Sequence, residues 1–223
     1  MGYNLKEGMV IREDFLRARS EPERAARRAE ILDAAEKVLR ESPDDRFSIS
    51  DVANRIGVSK STIFLYFRNK EELLAAMYTQ VGEAFFQRLR SRLRRGMTDM
   101  EFCEAFIDSS AECPSLVTMR AMISNTISGS LSQSFVAPTF EAIYRTRTAA
   151  VAEAEDALGL EPGQGRVLIK AFMNLMCGAA QVSVLRYIHA DNIKPDMMEA
   201  MRAADARSSF FSGAELLMKG IRA

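Results

Sequence analysis

The sequence predicts an all-α fold of two domains, and three observations predict it. Apolar residues recur at the three- and four-residue spacing of helices along most of the 223 residues, strand-like alternation is scarce, and helix start and stop signals divide the chain from Ser20 onward. Apolar residues make up 48% of the chain, ample for a packed core, and charged residues 27%, so the composition is that of a globular protein rather than a disordered one. No stretch approaches the ~20 apolar residues of a membrane helix. The opening MGYNLKEGMVIREDF lacks the apolar run of a signal peptide. The expected location is the cytoplasm, with no membrane partner. No internal repeat or low-complexity segment is visible.

Residues 1–20 read as a tail, with room for a helical turn in Met9–Arg19. Ser20 reads as an N-cap, Glu23 as its capping-box partner and Pro22 as a first-turn proline. The helix that follows carries Ile31, Ala34, Ala35, Val38 and Leu39 on one face and ends before Ser42-Pro43-Asp44-Asp45. Ser48 caps a second helix, with Asp51 closing its box and Val52, Ala53 and Ile56 as its apolar face. That helix lasts about two turns and stops at Gly57, a typical left-handed helix end. Ser59 caps a third short helix, predicted to reach Phe67. Asn69 caps a fourth, with Glu72 closing its box, predicted over Lys70–Arg94.

Three short helices, a tight glycine turn and a long helix make a helix-turn-helix arrangement in residues 21–69. Gly57 lets the third helix cross the second. Ile63 and Phe67, four apart, pin it to Val52, Ile56 and the first helix. Lys60, Ser61, Thr62, Leu65 and Tyr66 then lie on other faces, able to enter a DNA major groove. Lys60 suits a base edge or a phosphate, and Thr62 a phosphate or a thymine methyl. An exposed Leu65 suits an apolar contact in the groove. The N-terminal end of this helix, with its partial positive charge, suits a phosphate.

Charge gives a weaker pointer. The net charge is zero, but residues 1–95 hold 19 Lys/Arg against 15 Asp/Glu and residues 96–223 hold 11 against 15. The asymmetry suggests an anionic partner for the N-terminal part. It leans on the run Arg88-Leu89-Arg90-Ser91-Arg92-Leu93-Arg94-Arg95, which fits the solvated end of a helix at least as well. Three cysteines (Cys103, Cys113, Cys177) without CxxC spacing and a single His189 do not make a metal site. The thiols are expected to be free and reduced, with no metal and no cofactor. With one histidine, no GxSxG, no glycine-rich phosphate loop and carboxylates such as Glu153, Glu155 and Asp156 on a charged helix face, no catalytic residue is expected and the chain does not read as an enzyme.

Residues Arg28 to Leu74, about 47 of the 223, resemble the DNA-binding domain of the tetracycline-repressor (TetR) family of bacterial transcriptional regulators. The matching pieces are RAEILDAAEKVL (28–39), SISDVANRIGVSKSTIFLYF (48–67) and RNKEELL (68–74), in that order. Matched position by position, the resemblance implies DNA contacts by Lys60, Thr62, Tyr66 and Lys70, the last where the family has a lysine near the phosphate backbone. Two further candidates are Ser48, which either caps its helix alone or also meets phosphate, and Arg28, which could reach phosphate from the first helix. Two positions depart from the family. Phe64 stands where a tyrosine hydroxyl usually meets phosphate, so that hydrogen bond is either missing or made by Tyr66. The loop after the first helix is Ser42-Pro43-Asp44-Asp45, where the family usually has glycine.

The resemblance also implies that residues 70–223 form a helical ligand-binding and dimerisation domain. One short helix reads only a few base pairs, so specificity calls for a homodimer on a near-palindromic duplex. Two C-terminal segments, within Pro162–Ala190 and Lys194–Gly220, are predicted to form a four-helix bundle across the dimer, since the first is apolar nearly all round. Residues 96–223 hold 10 of the 13 Met and 7 of the 13 Phe. Phe102, Phe106, Met119, Met122, Phe140, Phe172, Met173 and Met176 are candidates to line an apolar pocket, or else ordinary core. Asn125, Asn174 and Arg120 are polar groups placed to orient a ligand, and His189 suits a helix C-terminus. The expected function is a sequence-specific transcriptional regulator, a repressor released by a small, largely apolar ligand. The alternative is a DNA-binding protein without sequence preference.

Overall fold

The computed structural model describes residues 21–42, 48–126, 133–182, 194 and 205–223. Among them are nine helices and no strand. The chain divides into two compact units, Met1–Leu73 and Leu74–Ala223.

In the first unit, α1 (Glu21–Glu41) buries the predicted stripe of Ile31, Ala34, Ala35, Val38 and Leu39, together with Leu32. Its proposed cap at Ser20 and the loop at 43–47 lie outside the described residues. The next helix, α2 (Ile49–Arg55), opens on the predicted capping box. The Asp51 amide donates to Ser48 Oγ at 3.3 Å, and the Ser48 amide donates to Asp51 Oδ2 at 2.9 Å. It ends in a paired set of bonds around Gly57, whose φ is +66°. The Val58 amide reaches the Ala53 carbonyl at 3.0 Å and the Gly57 amide the Asn54 carbonyl at 3.3 Å, the Schellman arrangement that a left-handed residue allows.

The third helix, α3 (Lys60–Phe64), is shorter than predicted. Past it, three-residue steps run from the Leu65 amide to the Thr62 carbonyl and from the Tyr66 amide to the Ile63 carbonyl at 2.9 Å, and the Phe67 amide shares the Ile63 carbonyl at 3.1 Å, a tightened last turn. Helices of seven and five residues do not persist alone in water. Caps and a small core hold these two. Val52, Ile63 and Phe67 are fully buried, each contributing about 1.5–3 kcal/mol relative to exposure.

Helix α4 runs Lys70–Arg92, two residues short of the predicted end. The Glu72 amide donates to Asn69 Oδ1 at 2.7 Å, as a cap requires, while the Glu72 carboxylate accepts from the Arg68 amide at 2.9 Å. The second unit continues with α5 (Asp99–Ala111), α6 (Ser115–Thr126), α7 (Gln133–Leu158), α8 (Gln164–Val182) and α9 (Ala206–Arg222). Phe106 of α5 sits at the middle of an aromatic core. Its ring centroid lies 5.2 Å from Phe85, 6.3 Å from Phe102, 5.3 Å from Phe172 and 5.9 Å from Phe210, so four helices meet around one side chain.

One expectation changes here, and a second resolves to one of its two readings. The helix expected within Lys194–Gly220 begins at Ala206, because the Asp205 carboxylate accepts from the Ser208 amide at 2.8 Å and starts it there; Lys194 is not helical. Most of the span between lies outside the described residues, as does His189. The arginine run is the solvated end of a helix rather than an open basic patch. Arg88 and Arg92 pair with Glu112, Arg90 with Glu153, Arg94 with Glu101 and Arg95 with Asp156. These exposed pairs contribute roughly 0–1 kcal/mol each, but they neutralise the charges that made the N-terminal part look basic. Residues 1–87 hold 14 Lys/Arg and 15 Asp/Glu.

Candidate nucleic-acid interface

On α3 the residues are spaced about 100° apart. That rotation puts Lys60, Ser61 and Phe64 on one arc and Ile63 outside it, and Leu65, Tyr66 and Phe67 follow the last helical residue. Burial follows the same division. Lys60, Ser61, Phe64 and Leu65 are exposed, Ile63 and Phe67 are fully buried, and Thr62 and Tyr66 are half-buried. Of the expected DNA contacts, the outward face brings together Lys60, Ser61 and Leu65. Phe64, absent from the expected contacts, joins it with 46% of its surface in water, beside Leu65 at 62%. The helical rotation carries that signal in the sequence itself, but Phe64 reads there first as a missing tyrosine hydroxyl.

The hydroxyls at the start of α3 bond to one another. Ser59 Oγ accepts from the Thr62 amide at 3.2 Å and lies 2.7 Å from Ser61 Oγ and 3.0 Å from Thr62 Oγ1. Ser48 is likewise engaged, its Oγ donating to Asp51 Oδ2 at 2.7 Å. That bond, followed by the Ser48 backbone amide, holds the Asp51 carboxyl below its ordinary range. Arg28, expected to reach phosphate, places its guanidinium 5.2 Å from the centroid of the Phe67 ring, a cation–π contact that braces α1 against the end of α3. Lys70 opens α4 and is half-buried. Arg55 and Glu41 form a two-point ion pair at 2.5 and 2.8 Å that ties α2 to the end of α1; the hydrogen bond from Arg55 holds the Glu41 carboxyl low.

The candidate ligand residues fall in the second unit. Phe102, Phe106, Met119 and Phe172 are fully buried, Met173 and Met176 nearly so, and the three phenylalanines contact one another's rings. Met122 and Phe140 are half-buried, and the Asn125 side chain lies outside the described residues. Arg120 donates to Asn174 Oδ1 at 2.9 Å and to Tyr78 Oη at 3.5 Å, bracing α6 against α8 and α4. A groove of about 580 Å3 opens elsewhere, between α8 and α9, along Val167, Leu168, Ala171, Leu216, Leu217 and Ile221. Val167 and Leu216 are 62% and 70% exposed on it.

Among the described residues no group of three or more His, Cys, Asp or Glu is placed to hold a metal ion, and no helix is long and apolar enough to cross a membrane. Three carboxylates of α7 have structural partners: Glu153 and Asp156 hold arginines, and Glu155 Oε1 accepts from the Gly163 and Gly165 amides at 2.8 and 3.0 Å, capping α8. Cys103 is buried, and burial, helped by nearby Asp99, pushes its thiol up to about 11.

Residues 31–77 match the family model of bacterial regulatory proteins, tetR family. Over that stretch the chain is similar to the TetR family. Part of the chain is also similar to curated proteins. The chain is 32% identical over 72 residues to the fatty acid metabolism regulator protein of Bacillus subtilis (strain 168), covering 32% of this chain and 37% of that protein. It is 25% identical over 81 residues to the nucleoid occlusion factor SlmA of Alteromonas mediterranea, covering 36% and 42%. The chain thus spans about two-fifths of the length of these relatives. Over longer spans the TetR fold is shared with solved structures. A TetR transcriptional regulator from Rhodococcus sp. RHA1 aligns at a TM-score of 0.54 and 18% identity, over 88% of this chain and 97% of that one. The regulator PfmR from Thermus thermophilus aligns at 0.50 and 18%, over 85% and 97%.

Proposed function

We propose that this protein is a sequence-specific DNA-binding transcriptional regulator working as a homodimer on a near-palindromic operator. In this reading it is a repressor, released when a small, largely apolar ligand binds the C-terminal unit. The observation that carries the reading is the outward face of α3, which presents Lys60, Ser61, Phe64 and Leu65 to solvent from a rigid backing of Ile63 and Phe67 within the residues that match the TetR model. A single α3 covers a few base pairs, so two copies spaced about one DNA turn (~34–36 Å) apart or somewhat more are needed for specificity. The apolar groove between α8 and α9 supports the pairing. A second copy related by a two-fold axis covers Val167 and Leu216 with the same face of its own. Ligand binding releases DNA by favouring the dimer arrangement whose two α3 helices no longer match the operator, to the extent that the ligand prefers that arrangement.

The name of the Bacillus subtilis relative supports a regulatory role. The charge of the unit speaks against binding without sequence preference. Residues 21–73 hold 10 Lys/Arg and 11 Asp/Glu, which gives little of the phosphate attraction on which non-specific binding depends. Selection of bound duplexes from a random DNA pool tests the reading. A near-palindromic motif is expected; recovery of no motif, with equal affinity for all duplexes, overturns it.

A further inference from the structure

The segment that faces DNA in this reading is poor in the side chains that read bases by hydrogen bonding. Between Ser59 and Phe67 the sequence is SKSTIFLYF, without Asn, Gln, Arg, Asp or Glu. Bidentate recognition of adenine uses Asn or Gln, that of guanine uses Arg or Lys, and cytosine is read by a carboxylate. Only Lys60 can take one of these roles. The hydroxyls of Ser59, Ser61 and Thr62 already bond to one another and to the start of the helix. The large groups that remain on the outward face are apolar. Phe64 and Leu65 are adjacent, both exposed, and neither is used by the core, which Ile63 and Phe67 complete. Among the described residues of the first unit they are the exposed large hydrophobic side chains. The major groove offers one apolar group, the 5-methyl of thymine.

We propose that Phe64 and Leu65 read the operator through thymine 5-methyl groups, so that each half-site carries thymines opposite this pair and discriminates mainly by apolar contact. The inference rests on the DNA-binding function proposed above and specifies its target. It makes Phe64 a specificity-determining residue, even though its missing hydroxyl removes a phosphate contact.

The test is a uracil scan. Starting from the duplex recovered by selection, each thymine is replaced in turn by uracil, which keeps every hydrogen-bonding group and removes only the methyl. Affinity of the full chain is measured at one fixed salt concentration. Removal of a contacted methyl is expected to weaken binding about fourfold in one half-site and about fifteenfold in both. In Phe64→Ala and Leu65→Ala variants, checked by circular dichroism for an unchanged fold, uracil at the contacted position is expected to cost nothing further. A flat scan overturns the inference, as does a uracil penalty that is the same in parent and variants. Failure to recover any motif overturns the DNA-reading function itself and is a distinct result from a flat scan.

Discussion

The two units are held together in different ways. The second is organised around rings: Phe85, Phe102, Phe172 and Phe210 all touch Phe106, and each is fully buried. The first has short helices and a handful of core residues, and depends on local hydrogen bonds: the Ser48–Asp51 box, the Ser59 cap, the Asn69–Glu72 cap and the left-handed turn at Gly57. The difference shows what each unit can leave exposed. A unit fixed by caps can keep Phe64 and Leu65 out of its core and offer them to a partner. A unit fixed by aromatic packing has its phenylalanines committed to stability.

The largest effect should come from the aromatic hub. Phe106→Ala removes a side chain in contact with four rings, and truncations of this kind cost about 3–5 kcal/mol. Urea denaturation followed by circular dichroism reads that loss directly. A cost below about 1 kcal/mol would mean that the rings repack around the cavity and that the hub is not what holds the unit.

Gly57→Val tests the other mode of stabilisation. A Cβ at Gly57 meets nothing within 4 Å, so the Cβ is not crowded and the penalty expected is that of backbone conformation at φ +66°. The expected cost is about 2 kcal/mol, more than for an unbranched residue. An unchanged melting temperature would sink this reading of the turn.

Ser48→Ala should cost less, about 1 kcal/mol, and it should alter the response to acid. The Ser48 hydrogen bonds depress the Asp51 carboxyl in the folded state. Its contribution is therefore complete above the unfolded carboxylate value near ~4 and fades as pH falls through the lower folded value. Stability profiles from pH 7 to pH 2 should converge for parent and variant at the acid end. Parallel profiles would show that the box carries no proton linkage.

Much of this architecture was legible in the sequence. The apolar stripe of α1, the Ser48–Asp51 box and the stop at Gly57 are local signals. Each depends on residues within four positions of one another, and the structure has each where the pattern puts it. What the sequence could not separate was core from pocket. Phe102, Phe106 and Phe172 have the composition of a ligand site and the burial of a core, and only the partners brought by distant helices decide between these. The arginine run was ambiguous for the same reason. Its acids, Glu101, Glu112, Glu153 and Asp156, lie on other helices, so counting charge along the chain gave the first half an excess that folding cancels.

The smallest effect on stability sharpens the comparison most, because it uses the same residue type as the largest. Phe64→Ala removes a ring that is 46% exposed and belongs to no core contact described above. Substitutions at such surface positions usually stay within about 0.5 kcal/mol. Its urea midpoint should therefore match the parent, whereas that of Phe106→Ala falls far below it. If Phe64→Ala instead cost more than about 1.5 kcal/mol, the ring would be holding α3 in place. Its exposure would then be incidental, and the first unit would depend on aromatic packing as the second does.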